Sequence, residues 1–499
     1  MNQKYKTNHP FFVGSKGIVN ISARTVSGAA ISIGSQGLKF LIGMGSTVVL
    51  ARLLTPQDFG LLAMTGVATG FLTIFKDAGL AMATIQRKEI SHEQVSTLFW
   101  SNFALSCLLG ILLYVSAPHL SAFYNEPRVT EITKTLCLTF ILGGASIQHR
   151  ALLRRSMRFR DLAVLEITTI TIGTIVSIVL AYLGYGYWSL VWATISVVIL
   201  DLIGCWYIAQ WIPSFPKKSQ GVMQMVEFGK DILIFDTVNY FSRRGDDFLI
   251  GWKWGSESLA YYSKAYALLL MPIQQIYSPI RNVIIPALSR LTETPKKYKT
   301  LFINAIELVV GGTVPIVISF FIFADEIIMV MLGPQWKDCA YIFRLLTVGA
   351  LVAVINIPAA WLMVSTGRTR IYKNIGIYTS ILFVISFSLG LPYGIEGVAV
   401  AYSISATVSF FPSWIFATRN SPVEFYSVLC AFFAPLTSAI VAGLLSCYFQ
   451  KFVPTEVNSI IKMLFGFSTF GLVYLVVLLI LFGRLELYIK VLKQLGIKK

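Results

Sequence analysis

SGAAISIGSQGLKFLIGMGSTVVLA, residues 27–51, is the stretch on which the fold turns. At 1.5 Å rise per residue it is long enough to cross a hydrocarbon core of about 30 Å. It nevertheless carries Lys39 about 18 Å along its axis, too deep to reach either interface easily. Ser32, Gln36, Lys39, Gly43 and Ser46 fall within a narrow arc at about 100° per residue, so one face of this helix is polar at membrane depth. An ionisable side chain in hydrocarbon costs several kcal/mol unless it meets a protein interior or a wet cavity. Two readings follow. Lys39 lines a cavity for an anionic cargo, or it pairs with a buried carboxylate on a face where small residues let helices approach.

The rest of the chain repeats this character. Of 499 residues 56% are hydrophobic and only 13% charged, with a mean hydropathy of +0.70, more apolar surface than one soluble core hides. An all-α polytopic membrane protein follows, with about fourteen transmembrane helices at 27–51, 59–82, 95–117, 129–149, 162–183, 187–210, 228–251, 257–288, 300–323, 339–365, 371–390, 395–417, 425–448 and 460–483. The net charge of +17 would suggest nucleic acid in a soluble protein. Here the basic residues sit mostly in short loops, where anionic membrane lipids are their neighbours, so no nucleic acid is expected.

Those loops alternate. Lys4, Lys6, Lys16 and Arg24, then Arg87 and Lys88, Arg150 to Arg160, Lys217 and Lys218, Arg290 to Lys299, Arg368 to Lys373, Arg419, and Arg484 to Lys499 lie on one side. The other side offers Arg52, Arg128, Lys253, Lys337 and Lys451. By the positive-inside rule both termini are cytoplasmic and the number of spans is even. The first apolar run is too long for a signal peptide and lacks a small-residue cleavage site, so it reads as a retained helix.

An internal repeat sits at an offset of about 200 residues. VLARLLTPQDFGLLAM (49–64) corresponds to LIGWKWGSESLAYYSK (249–264), and YGYWSLVWA (185–193) to YGIEGVAVA (393–401). The chain therefore divides into a cytoplasmic tail (1–26), a first lobe of six helices (27–210), a cytoplasmic linker (211–227), a second six-helix lobe (228–417), two further helices (425–483) and a cytoplasmic tail (484–499). Six is even, so the lobes point the same way, related by a pseudo-two-fold axis along the membrane normal with the binding site expected at their interface.

Helix two adds Thr69, Thr73 and Lys76, followed by Asp77; Lys76 either faces a cavity or snorkels and pairs with Asp77. In helix seven Asp236, Tyr240, Arg243 and Asp247 share a face, with Arg244 and Asp246 flanking it and Asn239 nearby. The carboxylates either neutralise the arginines in an internal network, or Arg243 and Arg244 grip phosphate while an aspartate titrates. In helix eight Lys264, Gln275, Ser278 and Asn282 line one face, subject to kinks at Pro272, Pro279 and Pro286; Arg281 lies off that stripe near the cytoplasmic end. The substrate-binding candidates are thus Lys39, Lys76, Arg243, Arg244, Lys264 and Arg281, and the polar lining Ser32, Gln36, Thr73, Asn239, Tyr240 and Gln275. Candidates for ion or proton coupling are Asp77, Asp236, Asp246 and Asp247. The cluster RALLRRSMRFRD (150–161) reads as a topology signal facing lipid or as a docking patch. His9, His92, His119 and His149 fall in the tail or loops, and Trp211, Trp252, Trp254 and Trp336 near span ends read as interfacial anchors. Six cysteines show no CxxC or Cys/His ligand spacing, and nucleophile motifs and Walker loops are absent, so neither metal nor cofactor is expected.

VLARLLTPQDFGLLAM together with KDAGLAMATIQRKEISHEQVSTLFW (76–100) resembles the polysaccharide-transport branch of the multidrug/oligosaccharidyl-lipid/polysaccharide exporter superfamily. A second signature, SRRGDDFLIGWKWGSESLAYYSKAYALLLMPIQQIYSPIRNVIIPALSRL (242–291), places Asp246 at the family's aspartate before LIG and Pro272 and Pro286 at its helix-eight prolines; Arg244 stands where the family often has asparagine. MLGPQW (331–336) and STGRT (365–369) add shorter matches. Colanic-acid and O-antigen repeat-unit exporters are the most similar members. The resemblance implies a bacterial inner-membrane flippase for undecaprenyl-diphosphate-linked oligosaccharides, working by alternating access. It further implies a groove near helices thirteen and fourteen for the lipid tail, action as a monomer, and a polymerase and glycosyltransferases as partners. Two alternatives remain open. A cation-extruding drug antiporter would show central carboxylates without Lys or Arg beside them, and a membrane polysaccharide polymerase or glycosyltransferase would need larger loops.

Overall fold

The computed structural model describes residue 11 and residues 21–77, 79–87, 90–216, 222–454 and 458–485; residues 21–30, 32, 33, 77, 222–239 and 241–243 are described by backbone alone. Regular structure among these residues is entirely helical. In chain order the helices are α1 (Ile21–Leu53), α2 (Pro56–Asp77), α3 (Leu80–Gln86), α4 (His92–Tyr124), α5 (Arg128–Leu136), α6 (Leu138–Gly144), α7 (Ile147–Arg155), α8 (Phe159–Tyr182) and α9 (Trp188–Ala209). They continue with α10 (Val222–Ser289), α11 (Pro295–Ile322), α12 (Ala324–Met331), α13 (Cys339–Ser365), α14 (Thr369–Gly390), α15 (Gly394–Thr418), α16 (Phe425–Gln450) and α17 (Ser459–Val476).

Among the described residues nine helical stretches are long and apolar enough to span a membrane, and ten if the bent pair Arg128–Gly144 and Ile147–Arg155 counts as one span. Several of the fourteen spans read from the sequence meet their neighbours at a single glycine or a short turn. Expected helices seven and eight are the two parts of α10, parted at Gly255 (φ 80, ψ −174), a backbone state open essentially to glycine alone. Expected helices eleven and twelve are α14 and α15, parted by the short 3-10 turn Leu391–Tyr393 and by Gly394 at φ 84. Expected helix four is the bent pair, broken where Ala145 and Ser146 leave α6 before α7 begins.

The chain packs as two units, Met1–Leu259 and Ala260–Lys499. In the first, α1 lies on α8, α8 on α9, α4 on α5 and α6, and α3 on α7. In the second, α13 and α14 pack on α15, α11 on α13 and α16, and α16 on α17. Small residues set the closest approach. A Cβ at Gly60 would lie 1.8 Å from the backbone oxygen of Ser256, so α2 and α10 touch backbone to backbone there, as membrane helices do at small residues. Between spans, Glu126 accepts from Arg128 Nε at 2.8 Å and Nη2 at 2.9 Å, and those hydrogen bonds hold its carboxyl below the usual range.

Each unit carries the same device at corresponding positions. Met157 and Gly367 both adopt positive φ, 54 and 74, and each is followed by an arginine that caps another helix. Arg158 Nη1 donates to Ile208 O near the end of α9 at 3.1 Å. Arg368 donates to Phe416, Ala417 and Arg419 oxygens at the end of α15. Cationic donors satisfy helix C-terminal carbonyls that otherwise lack partners.

Candidate functional site

Within the first unit a cavity of about 470 Å³ opens between α2, α3, α6, α7, α8 and α9, walled by Lys76, Ser146, Arg150, Arg154, Glu166 and Asp201 among apolar and hydroxyl side chains. α7 places Arg150 at its centre. One nitrogen, Nη1, donates to Glu166 Oε1 at 2.7 Å, and the other donates to Asp201. Glu166, on α8, accepts from Lys39 Nζ at 2.6 Å through its second oxygen. Asp201, on α9, also accepts from Ser146 Oγ at 3.2 Å. The distant α1 and the consecutive α7, α8 and α9 are therefore joined by two cations and two carboxylates. The planar guanidinium fork suits this bridging role as a point-charge ammonium would not.

Lys76 enters from α2 without a carboxylate partner among the described residues. It donates to Thr139 O at 3.2 Å and lies 5.8 Å from the Phe140 ring centre. Gly143 makes room for it, since a Cβ there would sit 2.0 Å from its Nζ. Arg154 is exposed on the same wall. Counting Lys39 with the wall residues, four cations face two carboxylates, so the site carries a net positive charge.

The other expected residues fall as follows. Thr73 lines the cavity and donates to Thr69 O at 2.7 Å. Gln36, Gln275 and Arg281 are exposed and Lys264 is half-buried. Tyr240, half-buried, donates to Val67 O at 2.6 Å. Ser32, Asp77, Asp236, Asn239 and Arg243 have side chains outside the described residues. On α10 Arg244 pairs with Asp247 at 2.7 Å, with Arg244 57% exposed and Asp247 9%. The i to i+3 spacing on a helix face brings these two together. Asp246 is buried and its carboxylate accepts from Asp247 N at 2.9 Å.

Three expectations change. Arg150, in the cluster read either as a topology signal facing lipid or as a docking patch, faces the cavity rather than lipid. His149 is no loop residue: it is fully buried, stacked on Trp206 at 4.4 Å, with its Nε2 3.0 Å from Trp211 O. Trp211 and Trp336 are buried rather than interfacial, whereas Trp252 and Trp254 are exposed. Glu166 and Asp201 went unremarked in the sequence, yet each is the lone carboxylate within a long apolar run, the same signal that singled out Lys39.

Comparison with known proteins agrees with this architecture. Residues 49–341 match a family described as "Polysaccharide biosynthesis protein". The lipopolysaccharide biosynthesis protein WzxC of Escherichia coli K12 is 23% identical over 378 residues, covering 74% of this chain and 76% of its own. The succinoglycan biosynthesis transport protein ExoT of Rhizobium meliloti is 22% identical over 462 residues, 90% of each chain. Among solved structures, the lipid II flippase MurJ in an inward closed conformation superposes with a TM-score of 0.73 at 16% identity, over 92% of this chain and 99% of that one, which is a likeness of fold. With more than half its length matched, the chain belongs to the polysaccharide biosynthesis protein family.

Proposed function

We propose that this protein is a transporter, a flippase that carries undecaprenyl-diphosphate-linked oligosaccharide units across the bacterial inner membrane to the periplasmic leaflet by alternating access. The observation that carries the reading is the cavity between apolar helices with four cations against two carboxylates. Diphosphate and acidic sugars need such charges at depth, while the prenyl chain stays in lipid. The names of WzxC and ExoT support polysaccharide assembly as the setting, and the fold shared with a lipid II flippase supports the class of cargo. A drug antiporter for cations fits this site less well, because its carboxylates are already matched by Lys39 and Arg150.

In the same reading both termini are cytoplasmic, the six-helix lobes run 27–210 and 228–417, and the protein acts as a monomer beside a polymerase and glycosyltransferases. Lys39, Lys76, Arg243, Arg244, Lys264 and Arg281 are the proposed cationic path. The test is a strain lacking its own exporter but holding the sugar-assembly enzymes. With this protein it should release surface polymer; without it, the lipid-linked unit should accumulate on the cytoplasmic leaflet. Polymer absent in both, with the protein present in the membrane and cognate glycosyltransferases supplied, sinks the reading.

A further inference from the structure

The cations of the cavity are held in a way that says how an anion enters. A cation at membrane depth needs a partner whether or not cargo is present. Glu166 supplies one: its two oxygens lie 2.6 Å from Lys39 Nζ and 2.7 Å from Arg150 Nη1. That arrangement, one group offering paired terminal oxygens to a lysine and an arginine from different helices, is also how a phosphate is gripped. Glu166 borders the cavity and is 26% exposed, so its carboxylate has somewhere to go. Its departure frees Lys39 and one nitrogen of Arg150, which keeps Asp201 on the other, whereas Asp201 touches Arg150 and Ser146 alone among the partners described above. Lys76 and Arg154 already face the same space. A cavity of about 470 Å³ lies within the roughly 300–1,000 Å³ of small-ligand sites and admits a head group rather than a whole oligosaccharide.

We infer that Glu166 is a built-in stand-in for the cargo's anion: when a diphosphate or a sugar carboxylate enters, Lys39 and Arg150 exchange Glu166 for it, and Glu166 takes them back on release. This deepens, and rests on, the flippase reading. The exchange keeps both cations paired throughout and makes binding weak enough to reverse, because a ligand that displaces an internal competitor binds with an affinity reduced by the fraction of competent sites.

The experiment titrates inorganic pyrophosphate and, separately, glucuronate into the purified full-length protein by calorimetry. Glu166→Gln removes the competing charge and should tighten binding by about tenfold. Asp161→Asn, which neutralises a surface partner of Arg158, should leave affinity unchanged. Tightening confined to pyrophosphate assigns the site to the lipid diphosphate, and tightening confined to glucuronate assigns it to an acidic sugar. Should Glu166→Gln fold poorly, Lys39→Gln and the double Lys39→Gln/Glu166→Gln replace it, and the double should bind more tightly than the single. No gain for either anion, or an equal gain in Asp161→Asn, overturns the exchange. Leaflet transfer of lipid-linked oligosaccharide, measured in parallel, separates the two ideas: transfer without the affinity gain sinks the exchange alone, and the gain without transfer sinks the flippase reading.

Discussion

Lys39 shows how a single buried charge serves more than one end. Its partner Glu166 keeps Arg150 if Lys39 is lost, so Lys39→Ala should leave no carboxylate stranded. Membrane abundance should stay within about twofold of wild type while export falls by tenfold or more, and Lys39→Arg should retain part of the activity. Quantitative blotting beside a polymer assay checks both, and a protein that fails to accumulate would make Lys39 structural. On α10 the asymmetry of burial makes a second prediction. Removing Arg244 strands the buried Asp247, which should cost about 1–3 kcal/mol, less than the 3–5 of a fully buried pair because Arg244 is largely exposed. Asp247→Asn should cost under about 1 kcal/mol, since an exposed Arg244 finds other solvation, and the double variant should recover most of the loss. Equal losses in both singles, by thermal unfolding, would reject this. Lys39 was legible in sequence because a lone charge in an apolar run is conspicuous. Its partner was not, because 127 residues separate the two and nothing in a single chain pairs them.

Helices here are specified by apolar length, and their contacts by where side chains are missing. Gly60 meets backbone at Ser256, which has no flexible end to give way, whereas a Cβ at Gly376 meets nothing within 4 Å. Gly60→Ala should therefore lower the unfolding temperature markedly or abolish accumulation. Gly376→Ala in α14 should be neutral or stabilising by about 0.5–1 kcal/mol, as expected for replacing an unpacked glycine in a helix. Similar behaviour of the two variants would refute the backbone contact. The arginine caps give a comparable pair: Arg368 reaches three carbonyls and Arg158 one, so Arg368→Ala should destabilise more, by about 1–3 kcal/mol in all. Apolar length made the helices readable in sequence, and the repeat was visible where residue strings match, at 49 and 249 and at 185 and 393. It was invisible at 157 and 367, where what recurs is a positive φ and an arginine cap on otherwise different residues. The bend between α6 and α7 was missed for a related reason: no proline marks it, and the apolar run reads straight through.

For the whole molecule, orientation and charge act together. The basic segments at span ends that include Arg155, Arg158, Arg368 and Arg370 set the cytoplasmic side in the proposed topology, so cargo loaded there and released outside moves anionic groups away from a negative interior. Each net negative charge moved then gains about 2.3 kcal/mol per 100 mV, roughly a fiftyfold bias in the transfer equilibrium. Two charges on a diphosphate would double that free energy unless cations or protons travel with it. Proteoliposomes with a fluorescent lipid-linked oligosaccharide in one leaflet and a potassium-diffusion potential of either sign measure this directly. The side bearing residues 150–160 should be the side from which transfer is accelerated when that side is negative, and reversing the potential should slow transfer. An unchanged rate at both signs would mean that the moving cargo is electrically neutral, its charge cancelled by co-transported cations. Acceleration by the opposite sign would place the basic loops outside and overturn the topology. The same vesicles carrying Glu166→Gln should keep the sign of this response while releasing cargo more slowly, because tighter anion binding in the cavity holds the complex before release.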